Sequence, residues 1–178
     1  MSYDVCVWDP ARHAPLPTNA DDAFEIMERL SKVGDSLNPV LTDFSRALVR
    51  NYEASLQGEP QDLRAFWGSD PRQSADACKT AVYRLCLPSE AGMKQLACVV
   101  EAAAKRGLVV YDDECGMCFL PDGTIFPEDM RKVWEWDLAE LMAGPEDPSL
   151  VKPDNRTLLQ TIAGELFDAL GRGNKRIY

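Results

Sequence analysis

Hydrophobic and polar positions first alternate in Tyr3-Asp-Val-Cys-Val-Trp8, with Tyr3, Val5 and Val7 on one side and Asp4, Cys6 and Trp8 on the other. That period of two, in a segment rich in β-formers, predicts a first strand ended by Asp9-Pro10. Ala11 to Thr18 reads as a proline-bracketed loop. The spacing then changes to three and four. Ala23, Ile26/Met27, Leu30 and Val33 form the inner stripe of a helix capped by Thr18 or Asn19, with Asp21 and Asp22 in its first turn and Gly34 ending it. Asn38-Pro39 opens a second helix with Leu41, Phe44, Leu48 and Tyr52 on one side, and Gln57 to Gln61 breaks it. Leu63 to Trp67 is expected as a short strand, and residues 68–77 as a polar loop.

From Cys78 to Asp113 the pattern reads strand, helix, strand. Tyr83, Leu85 and Leu87 alternate with Arg84 and Cys86. Pro88 and Ser89 open a helix with Glu90 early in it, and Met93, Leu96, Ala97, Val100 and Ala104 form its apolar stripe. Lys105 and Arg106 occupy the last turn, Gly107 ends it, and Leu108 to Tyr111 is a short apolar run expected as a buried strand. A unit of this kind leaves its two strands parallel in one sheet.

Asp113 to Gly116 reads as a turn, followed by a hairpin whose arms, Met117 to Leu120 and Thr124 to Phe126, meet at Pro121-Asp122-Gly123. Pro127-Glu128-Asp129 starts a helix running through Met130, Val133/Trp134, Leu138 and Leu141 to Gly144-Pro145. A linker over 145–153 leads to a last helix capped by Asp154. The order β-α-α-β-β-α-β predicts an α+β fold, a split βαβ (ferredoxin-like) sheet with an extra helix, plus a C-terminal hairpin and two helices. Its helices are expected mainly on one face. Residues 1–127 are expected as the sheet domain with its hairpin, and 128–178 as a helical extension packed on it.

Composition narrows the function. The 178 residues are 46% hydrophobic, enough for a full core, and 29 Asp plus Glu against 19 Lys plus Arg give a formal charge of −10. Residues 1–62, 63–127 and 128–178 carry net charges of −6, −1 and −3, so the acid is concentrated in the N-terminal third. Such a balance argues against nucleic acid or an anionic membrane as partner and favours a basic one. The N-terminal stretch lacks the basic segment and apolar run of a signal peptide, and no apolar run reaches about 18 residues. Cys6, Cys86 and Cys98 fall inside regular elements, as small apolar residues do. A reduced, cytoplasmic protein is expected.

Cys115-Gly-Met-Cys118 matches a chemical template, but a redox pair needs its first cysteine at a helix N-terminus, and zinc needs two more ligands at similar spacing. His13, the one histidine, has no nucleophile motif to pair with and reads as a surface loop residue. Asp112-Asp-Glu114 places three carboxylates at a strand end, where Mg²⁺ is conceivable, yet three adjacent residues cannot all face one ion. A solvated turn offering a patch to a basic partner fits them better. Trp134 and Trp136 point about 200° apart on a helix, so Trp134 joins the inner stripe while Trp136 either anchors an interface or packs on a wider apolar face. The expected partner-contacting residues are Asp112, Asp113, Glu114, Trp136, Asp21, Asp22 and Glu25. No catalytic residue, metal ligand or cofactor is expected.

Tyr3-Asp-Val-Cys-Val-Trp8 and Gly107-Leu-Val-Val-Tyr-Asp112 together resemble the signatures Tyr-Asp-x-x-Val-Trp and Gly-Leu-Val-x-Tyr-Asp of small bacterial proteins. Some of these look like immunity proteins, which accompany secreted antibacterial toxins and protect the producer. The resemblance covers the first 112 residues; the Cys115–Cys118 hairpin and the C-terminal helices depart from it. It implies a non-catalytic protein that binds a cognate, basic toxin and occludes its active site. The alternatives from the residues themselves are a small metal- or thiol-dependent enzyme using 112–118, or an adaptor or regulatory binding domain.

Overall fold

The computed structural model describes residues 2–13, 15–35, 38–55, 62–88 and 92–143. In chain order these form β1 (Ser2–Trp8), α1 (Pro10–His13), α2 (Ala20–Leu30), α3 (Pro39–Ser55), α4 (Leu63–Trp67) and α5 (Pro71–Ala77). There follow β2 (Val82–Pro88), α6 (Gly92–Ala104), β3 (Val109–Asp112), β4 (Met117–Phe119), β5 (Ile125–Phe126) and α7 (Met130–Ala143). The fold is α+β. The sheet has the order β2-β1-β3-β4-β5 with every neighbouring pair antiparallel. Because β2 and β3 both run against β1, they are parallel to each other with β1 inserted between them, which is the split βαβ arrangement carried by α6.

Both alternating sets of side chains on the central strands are apolar, so both sheet faces need cover. On one face Val5, Val7, Leu85, Leu87, Val110 and Phe119 pack with Phe44 and Leu48 of α3, Trp67 of α4, Val99 of α6 and Trp134 of α7. On the other, Cys6, Trp8, Val82, Val109, Tyr111 and Cys118 lie beneath Ala23, Ile26, Met27 and Leu30 of α2. The helices therefore gather mainly on one face, as expected, and α2 covers the other.

Local chemistry overrides the short patterns. Leu63–Trp67 is helical, not a strand, because the Asp62 carboxylate accepts the N–H groups of Arg64 and Ala65, each at 3.0 Å, and so closes a first turn. The expected polar loop over 68–77 contains α5, started by the Asp70 side chain on Arg72 N–H at 3.0 Å and by Pro71 in the first turn. Helix α2 stops at Leu30, before the anticipated Gly34. The chain beyond it turns to bridge Gly34 to Thr80, which leaves Val33 exposed instead of in the core.

Pro88 closes β2 rather than opening the next helix; Ser89 and Glu90 lie outside the described residues. Helix α6 buries Gln95, Leu96, Val99, Ala102 and Ala103, while Met93, Ala97 and Val100 are only partly buried. Its almost continuous apolar sequence permits more than one stripe, and packing selects a face rotated from the expected one.

The chain divides into two compact units, Met1–Met142 and Ala143–Tyr178. Helix α7 up to Met142 thus belongs with the sheet, and the Trp134 ring meets Phe119 edge-on at 4.7 Å. The Gln57–Gln61 break, the 145–153 linker and the helix expected after Asp154 lie outside the described residues.

Candidate functional site

Asp112 ends β3 and is 2% exposed. Its Oδ1 accepts the N–H groups of Glu114 at 3.0 Å and Cys115 at 3.2 Å, so the carboxylate builds the turn into β4 from inside. Burial raises its pKa above the usual carboxylate value, although those two backbone bonds pull the other way. Asp112 is therefore a structural carboxylate and not a contact surface, which corrects its place among the partner-facing residues. Asp113 and Glu114 are exposed on the same turn.

The two cysteines of the Cys115–Cys118 motif point to different places. Cys118 is buried under α2, and burial pushes its thiol up to about 12. Cys115 stands in the exposed turn, where loss of solvation and then the charges of Asp112 and Glu114 push its thiol up to about 11. A nucleophilic thiolate needs a lowered pKa, and both shifts run the other way. Among the described residues no three His, Cys, Asp or Glu side chains are grouped to hold a metal ion.

On α2 the N-cap is Asn19, whose Oδ1 accepts Asp22 N–H at 2.9 Å. Asp22 returns the favour in part: its Oδ2 accepts Thr18 N–H at 2.8 Å and Thr18 Oγ1–H at 3.2 Å. Asp22 is thus committed to the cap. Asp21 and Glu25 are exposed, and beside them Phe24 is 44% exposed, its ring 6.3 Å from that of Tyr111 on β3. Sequence reasoning passed over Phe24, although an aromatic residue off the apolar stripe of an amphipathic helix is a visible signal. Trp136 is half-buried on α7, which packs on the opposite sheet face, so it shares no surface with the α2 carboxylates. Of the seven residues expected to contact a partner, the fold leaves Asp21, Glu25, Asp113 and Glu114 outward and available.

His13 is no simple loop residue. It ends α1, with Nε2 at 2.5 Å from Asp35 Oδ2, while Arg12 Nη2 donates to Asp35 Oδ1 at 2.8 Å. The Asp35 side chain is 5% exposed. Nearby, buried Asp9 accepts Ala11 N–H at 3.0 Å and Asn38 Nδ2–H at 3.4 Å. An imidazole oriented by a buried carboxylate supplies two of the three members of a triad, but among the described residues no hydroxyl or thiol bonds to it. As it stands the cluster clasps α1 to the connection between α2 and α3.

No protein-family model, curated protein or solved structure matches the chain.

Proposed function

We propose that this is a non-catalytic immunity protein that works in the cytoplasm, binding a cognate basic toxin and occluding its active site. The observation that carries the reading is the outward side of α2, where the exposed Phe24 has exposed Asp21 and Glu25 as its neighbours on the helix. An aromatic anchor beside charge suits a protein interface: the carboxylates speed encounter with a cationic partner and the ring, once buried, slows its release. A formal charge of −10 supports the same class of partner. The two segments that carry the family resemblance support it further, since they lie side by side in the sheet as β1 and β3.

The test is coexpression with the product of the neighbouring reading frame, because immunity genes sit beside their toxins. A stoichiometric complex and protection of growth are expected. A neighbouring toxin that kills equally well with and without this protein overturns the reading.

A further inference from the structure

One cross-strand row on the α2 side of the sheet runs Arg84, Cys6, Tyr111, Cys118, Phe126 through all five strands. Helix α2 follows that row. At one end Arg84 Nη2 lies 3.0 Å from Ser31 Oγ and 3.5 Å from Met27 Sδ, and in the middle Phe24 meets Tyr111. At the other end residues Thr18 to Asp21 face Phe126, Pro127 and Glu128 across an open cleft of about 460 Å³. The next row toward the strand ends has no such cover. Cys86 is exposed, the Asp4 side chain is 37% exposed, and exposed Asp113 donates its N–H to Asp4 O at 3.2 Å.

A groove therefore runs along one side of α2, bounded by the helix and by this uncovered row. Resting on the immunity reading, we propose that this groove is the toxin-docking surface and that it takes a cationic segment whose arginine or lysine side chains lie against Phe24. Carboxylates stand on both banks: Asp21 and Glu128 at the cleft, Asp4 and Asp113 on the strand side. Arg84, the cation of the row, is already engaged by Ser31 and lies 3.8 Å from Asp4.

An anionic segment is repelled there, and a purely apolar one would strip water from carboxylates without pairing them. A guanidinium or ammonium satisfies both features, pairing with the banks while its stem and charge lie on the Phe24 ring. This surface excludes Asp112, which is turned inward, and Trp136, which lies in the layer on the other face.

The experiment measures association and dissociation rates between the full chain and the product of the adjoining reading frame, at low and high salt. Phe24→Ser is expected to raise dissociation about tenfold or more, as loss of an anchor does. Asp21→Lys with Asp113→Lys is expected to slow association about tenfold and flatten its salt dependence. Glu53→Lys with Asp76→Lys, an equal charge change on α3 and α5, is expected to alter either rate by no more than about twofold. Circular dichroism and melting of each variant check that it folds, and the charge variants keep the test decisive if Phe24→Ser does not. Equal rates for the parent and the groove variants overturn the groove alone. A probe that does not bind the parent overturns both the groove and the immunity reading.

Discussion

Replacing Gly68 by alanine probes the closest approach at any of the described glycines. Gly68 ends α4 at φ 75° and ψ −32°, and a Cβ built there would lie 2.8 Å from the carbonyl oxygen of Cys86 on β2. Positive φ costs an L-residue about 1–2 kcal/mol, and pressing a methyl into a packed contact adds about 1–2 kcal/mol. The expected loss is thus about 2–4 kcal/mol, or about 4–16 °C in melting temperature for a domain of this size. Gly107 is the built-in comparison. Its φ is 70°, yet nothing lies within 4 Å of its Cβ position, so Gly107→Ala is expected to lose only about 1 kcal/mol from backbone strain. Urea unfolding of both variants, followed by the fluorescence of the tryptophans, among them fully buried Trp67, gives the difference directly. Equal losses would refute the argument, because they would mean that no carbonyl stands against Gly68 and that α4 and α5 do not seal the outer edge of β2.

Three further outcomes follow from the buried polar groups. Asp35→Ala should cost about 1–3 kcal/mol in the same assay by removing the buried acceptor shared by Arg12 and His13, while Asp35→Asn, which keeps an acceptor, should cost less. Asp112 has its pKa raised in the folded state, so its charge opposes folding above that raised value and the penalty fades as pH falls toward the unfolded value. Asp112→Asn, which keeps an acceptor for the turn, should therefore be at least as stable as the parent at neutral pH, with the advantage closing on acidification; an advantage that grows in acid would contradict the sign. In a thiol titration of the native protein, exposed Cys86 and Cys115 should react ahead of buried Cys6 and Cys118, whose thiols are both pushed up to about 12 and which should react only on unfolding.

The long periodic elements were legible in the sequence because burial acts on the same alternation that can be read there. In β2 the residues Tyr83, Leu85 and Leu87 face the core and Arg84 and Cys86 face out. In α2 the buried residues are Ala23, Ile26, Met27 and Leu30. What escaped was short or ambiguous. Leu63–Trp67 has too few residues for a period to decide, and the Asp62 cap decides instead. Asp70-Pro71 carries the same signal as Asn38-Pro39, but it opens a helix of only 7 residues without an apolar stripe. For the site, acidic residues could be seen but their direction could not. Asp112 turns inward for a local hydrogen-bond pattern that needs coordinates, and His13 meets Asp35 across a span of 22 residues that no motif encodes.

The pairing of β1 on both sides carries a consequence for how the chain is made. Its partners are residues 82–88 and 109–112, so neither edge can be satisfied by anything synthesised soon after it. At about 5–20 residues per second, β1 waits roughly 5–20 s for β3 to emerge. Until β2 is made, β1 has two bare edges open to other chains, and one edge stays bare until β3 follows. The sheet therefore closes late, on long-range pairings, which slows folding and lets aggregation compete. Damage that slows the closing of β2 or β3 around β1 should be felt first as lost soluble yield, before any loss of stability in the protein that does fold.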